Sequence, residues 1–409
     1  MKRRRRSAIS FRDNRCVAPG LPQRHETVDR WEKAMDTLSH KTKKQGPFCV
    51  WHGLSFGVWL QLLARRPRIE WRYLPKVASI TAVSLINSFE SAVERFWFGR
   101  RLEQVAIEHP PVFVLGHWRS GTTLLHNLLT LDPQFTYPNL YQVLYSGHFL
   151  TTQRWVAPLT RWLLPKTRIV DNMPADWNMT QEDEIALLLT TGMSPYLMLL
   201  FQDDRSRYER YFSLSRLSPQ ELAIWKKSLL LFLKKMTYQH RRQIVLKSPG
   251  HTYRIPLLLE MFPGAKFIYI YRDPYAVIRS TLHLRRTLFA ENGLAAPRLD
   301  GLEEDSFLTY EDCVQTYERT KSLIPAGQLH EVRFEDLEAD PLVAMHALYG
   351  AIGLDGWDRL EPILRSHLSE LAHHKKNHFL MDDADRRKIY QRLKWMFDLY
   401  GYPSQRTSD

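Results

Sequence analysis

The stretch GHWRSGTTLLH at residues 116–126 has the residue types of a loop that binds a phosphate-like anion. Two glycines bound four residues, and two threonines follow, so backbone N–H groups and hydroxyls can converge where a helix begins. A Walker A loop has lysine after its second glycine, whereas this loop has Thr122 there and a basic residue, Arg119, before that glycine. The candidate anion ligands are Gly116, Arg119, Ser120, Gly121, Thr122 and Thr123.

A second set of candidate ligands lies in YIYRDPYAVIRS, at residues 269–280. Arg272 follows an apolar run, and Ser280 comes about two helical turns later in the next helix pattern. Together they can hold a second anionic group at a fixed distance from the first loop. Lys247 ends another apolar run, QIVLK, and is a further candidate to meet a ligand.

The apolar runs before these residues have the pattern of buried parallel strands. PVFVL precedes the glycine loop, QIVL precedes Lys247 and FIYIY precedes Arg272, with helix patterns between them. One helix pattern opens on Asp273 and Pro274, a favourable N-cap and first-turn pair. The order predicts an α/β domain, a P-loop-like three-layer fold whose mainly parallel central sheet is flanked by helices. Ligands bind such sheets beyond the carboxyl ends of the strands, where these loops should meet.

The rest of the chain predicts helical additions to that domain. Residues 1–24 are basic and aperiodic, so we expect a disordered tail. Residues 25–108 have helix patterns and form a predicted N-terminal segment that packs on the core. The α/β domain is expected over 109–409. Within it, residues 135–242 form a helical insertion, rich in Pro, Trp, Tyr and Met, that shapes an acceptor pocket.

One long amphipathic pattern, SITAVSLINSFESAVERFWFGRRLEQVAI, lies in the N-terminal segment. Leu85, Phe89, Val93 and Phe96 recur there at helical spacing and define one apolar face. Such a face either packs against a protein core or rests on lipid headgroups. We expect packing, with the membrane alternative left open.

Composition and charge limit the class of protein. The net charge of +13 favours an anionic partner: a phosphorylated ligand, nucleic acid or an anionic membrane surface. The basic start lacks the apolar stretch of a secretion signal, and no apolar run of about 18 residues occurs. Cys16, Cys49 and Cys313 match no metal-ligand spacing. We therefore expect a cytoplasmic protein, with peripheral membrane contact through basic and amphipathic helices as an open alternative.

The motifs resemble those of sulfotransferases that use 3′-phosphoadenosine 5′-phosphosulfate (PAPS). GHWRSGTTLLHNLL, QEDEIAL, SPY, LKSPGHTYRIPLLLEMFP, RDPYAVIRST and RFEDLEADP occur in the family's order, across roughly residues 50–400. The resemblance implies PAPS as sulfuryl donor and no metal. It also implies that the first loop holds the 5′-phosphosulfate, with Arg119 beside the leaving phosphate, and that Arg272 and Ser280 hold the 3′-phosphate. Lys247 and His251 both match the family's contact to the reacting sulfuryl group.

The base that takes the acceptor's proton is not defined by the resemblance. Many relatives have a glutamate where this chain has Asn139 and Gln142, and an amide cannot serve as a base. The substitutes are His251, His148 and the acidic group 182–184. That acidic group also fits a helix start capped by Thr180, with acidic residues in the first turn.

The basic patch HHKKNHF at 373–379 has two interpretations. It closes over the nucleotide, with Asn377 and His378 as the residues of interest, or it is a solvated surface run.

Two other classes of protein explain parts of the sequence. A divergent P-loop kinase accounts for the glycine loop, but the chain lacks the Walker lysine and a strand ending in aspartate. A non-catalytic basic module for membrane or nucleic acid accounts for the arginine-rich start but not for the paired anion motifs. We therefore expect a sulfotransferase that acts on a hydroxyl or amine of a small-molecule, lipid or carbohydrate acceptor, and no nucleic-acid partner. The aromatic-rich insertion favours an apolar acceptor.

Overall fold

The computed structural model describes residues 49–164, 176–371 and 382–404, and within them five parallel strands form one sheet. The spatial order is β2-β3-β1-β4-β5, so the strand before the glycine loop lies at the centre. The strands are β1 (Val112–Leu115), β2 (Phe135–Thr136), β3 (Gln243–Lys247), β4 (Lys266–Tyr271) and β5 (Leu329–Arg333). β1 is buried along its whole length, as its continuous apolar run predicts.

The two faces of the sheet contact different apolar cores. Val112 and Val114 belong to one core, and Phe113 and Leu115 belong to the other, because side chains alternate along a strand. The helices that contribute to these cores lie on both sides of the sheet. The predicted fold class, three layers around a mainly parallel sheet, is therefore confirmed.

Helices occupy most of the described chain outside the strands. They are α1 (Phe56–Ala64), α2 (Leu74–Glu103), α3 (Thr122–Leu129), α4 (Leu140–Leu144), α5 (Phe149–Thr160), α6 (Asp183–Thr191), α7 (Arg210–Ser213), α8 (Pro219–Gln239), α9 (Ile255–Met261), α10 (Pro274–Asn292), α11 (Leu302–Thr320), α12 (Phe334–Ala339), α13 (Pro341–Ala351), α14 (Trp357–Leu371) and α15 (Asp383–Tyr400). Short 3-10 helices cover Val50–Gly53, Trp71–Tyr73, Arg161–Leu163, Pro195–Leu199, Arg205–Arg207, Pro249–Tyr253 and Lys321–Leu323. Asp273 caps α10 as predicted, since its carboxylate accepts from Tyr275 N at 2.9 Å.

Helix α2 packs on the protein with the face opposite to the one the sequence suggested. Leu85, Phe89 and Phe96 are 50%, 67% and 83% exposed, so the expected packing of that apolar face is wrong. The buried side has apolar residues near its two ends, Ile80 and Leu102, and polar residues between them. Asn87 Nδ2 donates to two backbone carbonyls of the preceding segment, and Glu94 pairs with Lys235 at 2.5 Å. Hydrogen bonds and a buried ion pair therefore fix this helix, and its apolar stripe faces outward.

Several predicted features lie outside the described residues. These are the basic tail at 1–24, the helix patterns before residue 49 and the basic patch at 373–379. The domain boundaries stay predictions. In the part of the chain that the structure covers, no helix is both long and apolar enough to cross a bilayer.

Candidate active site

The loop between β1 and α3 is closed tightly around two glycines. Gly116 and Gly121 have φ angles of +137° and +104°, in the region that L side chains avoid. A Cβ on Gly116 would lie 2.5 Å from Ile270 O, and one on Gly121 would collide with the Phe334 ring. Both positions therefore require glycine, and the loop backbone can approach an anion at the start of α3.

The hydroxyls of the loop have different tasks. Ser120 is buried and its Oγ donates to His117 O at 2.7 Å, so this group braces the loop. Gly116 N donates to Thr252 Oγ1 at 2.9 Å, which ties the loop to the segment after β3. Thr123 is only half-buried in the first turn of α3. The Thr123 hydroxyl is therefore more accessible to a ligand than the Ser120 hydroxyl, which already donates to His117 O.

The two predicted anion motifs meet directly in space. Arg119 Nε donates to Ser280 Oγ at 2.6 Å, which joins the β1 loop to the second turn of α10. Arg272, just after β4, donates from its guanidinium to Arg119 O at 3.3 Å, and it lies 3.9 Å above the Phe334 ring. These contacts create one cationic cluster at the carboxyl ends of β1 and β4, where a parallel sheet binds ligands.

The cluster continues along α10 through His283 and Arg286. Burial lowers the pKa of His283, and the positive charges of Arg119 and Arg286 lower it further. Burial also lowers the pKa values of Arg279 and Arg286, against the pull of nearby carboxylates. At His283 the neighbouring arginines therefore disfavour added positive charge, as expected beside a site that binds an anion with more than one negative charge.

Three consecutive acidic residues pair with three basic residues that follow β3. Glu182 Oε1 lies 2.7 Å from Lys247 Nζ, Asp183 Oδ2 lies 2.8 Å from His251 Nε2, and Glu184 Oε2 lies 2.5 Å from an Arg254 guanidinium nitrogen. The predicted capping by Thr180 is wrong, because the N-cap is Glu182 and the Thr180 hydroxyl donates to Asn127 Oδ1 at 2.6 Å. The acidic group thus anchors α6 to the site segment.

The three pairs differ in how far their side chains are exposed to solvent. The side chains of Glu182 and Lys247 are 12% and 6% exposed, whereas those of the other two pairs are at most 1% exposed. Glu182 also accepts from the Tyr196 hydroxyl, which in turn accepts from Trp118 Nε1 at 2.8 Å. Since Trp118 adjoins Arg119, this chain of contacts connects Glu182 with the anion loop.

His251 lies in an enclosed environment. Its ring packs edge-on against Phe113 with 5.1 Å between ring centres, and its bond to Asp183 is shut off from solvent. This geometry favours a structural role for His251 over the predicted catalytic one. Lys247 is the better placed of the two residues that the sequence left unranked.

The two amides at the position of the relatives' glutamate, and the proposed substitute His148, are all held by structural contacts. Asn139 and Gln142 form a reciprocal capping box at the start of α4, with bonds of 2.9 and 3.0 Å. His148 contacts Thr152 Oγ1 at 3.0 Å, and burial lowers its pKa to about 4. A β-bridge between Asn139 and Thr180 brings Glu182 next to the segment where relatives were expected to have a glutamate.

A narrow apolar pocket adjoins the loop. Most of its lining is apolar or aromatic, and polar groups are also present. The lining residues are His117, Trp118, Tyr196, Met198, Leu199, Thr281, Leu284, Arg285, Leu288, Phe289, Ser306 and Thr309. His117 Nε2 and Thr281 Oγ1 are buried beside it without a hydrogen-bond partner in the described chain. Burial lowers the pKa of His117 to about 3, so the imidazole is neutral. The pocket suits an apolar ligand that carries a polar group.

The chain belongs to the sulfotransferase family. The sequence model of that family matches residues 110–359, which include both anion motifs and the three acid–base pairs. The omega-hydroxy-beta-dihydromenaquinone-9 sulfotransferase Stf3 of Mycobacterium tuberculosis is 37% identical over 357 residues, 86% of this chain and 91% of that protein. The protein of the same name from Mycobacterium bovis matches equally well. The protein is therefore an enzyme that transfers sulfuryl groups.

Solved structures support the same fold at low sequence identity. The sulfotransferase STF9 of Mycobacterium avium has a TM-score of 0.64 at 18% identity, covering 91% of this chain and 96% of that one. STF1 of M. tuberculosis H37Rv has a TM-score of 0.56 at 17% identity, covering 82% of this chain and 90% of that one. In the described residues, no group of three or more His, Cys, Asp and Glu side chains is arranged to hold a metal ion.

Proposed function

We propose that the enzyme transfers the sulfuryl group of PAPS to a hydroxyl of a lipid-class acceptor. The observation that carries the donor assignment is the contact of Arg119 with Ser280, which joins two anion-binding motifs in one cationic cluster. PAPS has a phosphosulfate and a separate phosphate on one nucleoside, so it offers charge to both motifs. The glycine loop that excludes any Cβ fits the approach of a phosphate to the backbone.

Each motif has a distinct task in this proposal. Backbone N–H groups of the loop, the start of α3 and Thr123 hold the 5′-phosphosulfate, with Gly116, Gly121 and Thr122 shaping the turn. Arg272 and Ser280 hold the 3′-phosphate. Arg119 stabilises the charge that develops on the leaving phosphate, and Lys247 that on the sulfuryl oxygens.

Glu182 is the proposed general base. The acceptor oxygen bonds to sulfur as the bond from sulfur to the bridging oxygen breaks, and that electron pair stays on the 5′-phosphate. The hydroxyl proton passes to Glu182, whose carboxylate is partly accessible and is positioned by Lys247 and Tyr196. Positioned cations and donors supply the charge stabilisation, and the scheme uses no metal.

The acceptor proposal rests on the apolar pocket and on one relative. The pocket beside Trp118 and Tyr196 has aliphatic walls, which favour an apolar molecule over a glycan. The relative at 37% identity is named for a hydroxylated dihydromenaquinone, a lipid. An acceptor of this class is held in membranes, so the proposal includes peripheral contact of the enzyme with a bilayer.

Ligand-dependent thermal unfolding tests the donor assignment. Adenosine 3′,5′-bisphosphate, the product nucleotide, should raise the unfolding temperature at saturating concentration, and ATP with magnesium should raise it far less. Stabilisation by ATP and none by the bisphosphate would refute the donor assignment. A transfer screen with labelled PAPS against lipid extracts, phenols and glycans then tests the acceptor class, and labelling confined to glycans would contradict a lipid acceptor.

A further inference from the structure

Two helices present apolar side chains to solvent on the same part of the molecule. The α2 stripe consists of Leu85, Ile86, Phe89, Phe96 and Trp97, which are 50–83% exposed. The α5 patch consists of Trp155 and Leu159 on α5 and Trp162 in the 3-10 helix that follows it, and these residues are 67–79% exposed. Monomeric soluble proteins rarely expose contiguous apolar areas of this kind, which usually mark an interaction surface.

The stripe and the patch are joined where α5 packs on α2. Thr151 N, in the first turn of α5, donates to Glu94 Oε2 at 3.2 Å. Trp97 follows Glu94 by three residues and Trp155 follows Thr151 by four, so they lie about 4.5 Å and about 6 Å along their helices from this contact. The two apolar sets therefore extend from one junction and can form a single surface.

The composition of the surface matches a lipid interface. Tryptophan and phenylalanine are enriched at the boundary between headgroups and acyl chains, where an amphipathic helix lies with its apolar face inward. The buried side of α2 carries the hydrogen bonds and the ion pair, so this helix is fixed in place with its apolar side outward.

Arginines surround the apolar side chains. Arg154 lies 5.3 Å from the centre of the Trp155 ring. Arg161, next to Trp162, is 75% exposed and pairs with Asp176 at 3.1 Å. Arg100 and Arg101 are exposed in the last turn of α2. Their charges complement anionic headgroups, which attract cationic side chains near the bilayer surface.

The α5 patch is also connected to the active site through the chain. The two ends of the segment that carries the patch are joined by backbone hydrogen bonds. Leu140 N donates to Met179 O at 3.0 Å, and Gln181 N donates to Pro138 O at 2.8 Å. Glu182 follows immediately. The segment that would contact a bilayer through this patch therefore ends next to the proposed catalytic carboxylate of Glu182.

We propose that the α2 stripe and the α5 patch form a docking surface for an anionic lipid bilayer, from which the enzyme takes its acceptor. The purpose of this surface rests on the proposed lipid acceptor, whereas its binding to lipid can be measured without donor or acceptor.

Sedimentation of the full-length protein with vesicles tests the proposal. We expect binding to phosphatidylcholine vesicles that contain phosphatidylglycerol and weaker binding to phosphatidylcholine alone. A triple variant, Phe89→Ser/Phe96→Ser/Trp97→Ser, and a second one, Trp155→Ser/Leu159→Ser/Trp162→Ser, should each bind at least about tenfold more weakly. Arg154→Gln/Arg161→Gln should reduce the preference for the anionic lipid.

The control replaces three exposed apolar residues on other elements. Leu323, Val343 and Leu399 are 54%, 65% and 44% exposed, so Leu323→Ser/Val343→Ser/Leu399→Ser also removes three exposed apolar side chains, away from the proposed surface. Vesicle binding by this control should equal that of the wild type. Stabilisation by adenosine 3′,5′-bisphosphate should persist in every variant that is folded, which separates a failed membrane surface from a failed donor site.

Three results would overturn the proposal. The first is no binding of the wild-type protein to anionic vesicles. The second is unchanged binding by both surface variants. The third is a wild-type dimer that both surface variants convert to monomer while neither protein binds vesicles, because the surface would then be an interface between two copies.

Discussion

Replacement of Glu182 by glutamine is the most direct test of the proposed chemistry. Glutamine keeps the size of the side chain and an oxygen that can accept from Lys247 Nζ, which lies 2.7 Å from the carboxylate. It removes the ability to accept a proton. A positioned general base contributes about 10²–10⁴-fold to a rate, so kcat should fall by about that factor.

The cost of the same change to stability should be modest. Lys247 is 6% exposed and would lose its charged partner but keep a hydrogen bond. A lost charge-assisted contact of this kind costs about 1–3 kcal/mol, which leaves a folded enzyme for kinetic measurement. Adenosine 3′,5′-bisphosphate should still stabilise the variant, since Glu182 is not assigned to the nucleotide.

The neighbouring acids supply matched controls. Asp183→Asn and Glu184→Gln each remove one negative charge, as Glu182→Gln does. These two carboxylates, however, belong to the buried pairs with His251 and Arg254. They should lower stability while kcat per folded molecule changes much less than in Glu182→Gln. With a more acidic phenol as acceptor, the defect of Glu182→Gln should shrink, because less help is needed to remove the proton. A kcat within about threefold of wild type for Glu182→Gln would refute the assignment of the base.

Further predictions concern the nucleotide site and the stability of the fold. Arg272→Ala should weaken binding of adenosine 3′,5′-bisphosphate about 10–100-fold in calorimetry and leave adenosine 5′-monophosphate nearly unchanged, because the lost charge-assisted bonds go to the 3′-phosphate; equal losses for both nucleotides would contradict the assignment. Gly121→Ala should lower the free energy of unfolding by at least about 2 kcal/mol, whereas Gly350→Ala, in a helix with open space around its Cβ, should be neutral or slightly stabilising in urea titrations. Lys235→Ala should cost about 3–5 kcal/mol because Glu94 stays buried without its partner, and the control Lys226→Ala should cost little, since Glu260 is 64% exposed. Burial lowers the pKa of His148 to about 4, whereas the same side chain in the unfolded protein has a pKa of about 6.5. Between these values the unfolded chain binds a proton that the folded protein does not bind, so the free energy of unfolding decreases as the pH is lowered from about 6.5 to about 4. His148→Gln should reduce the slope of unfolding free energy against pH near 5.3 by about 1.2 kcal/mol per pH unit, and an unchanged slope would contradict this.

The sequence predicted well those features that are determined by a few neighbouring residues. The glycine loop, the strand before it and the cap of α10 by Asp273 each follow from local backbone requirements. The meeting of Arg119 with Arg272 followed from a topological rule, since both lie after neighbouring parallel strands. No knowledge of distant side chains was needed for either inference.

The partners of the acidic group were beyond that reasoning. Glu182 and Lys247 are separated by 65 residues, and the bridge between Asn139 and Thr180 that aligns Glu182 has no signature in either segment. Three acids before an apolar helix also have a sufficient local explanation in the helix dipole. Sequence periodicity therefore identified the group but could not assign its individual contacts.

Helix α2 illustrates a different limit, because periodicity defines two faces of a helix without saying which one is buried. The usual rule assigns the apolar face to the core. Here Asn87 is enclosed with its amide bonded to backbone carbonyls, and Glu94 is enclosed with Lys235, so the polar face has its partners inside the protein. Turning α2 around would expose Asn87 and Glu94 to solvent and leave Lys235 buried without its carboxylate partner, which would be costly. The outward direction of the apolar stripe is consequently enforced by the polar contacts beneath it. A bilayer would cover the stripe without disturbing those contacts, which is why the membrane alternative now explains the helix better than core packing does.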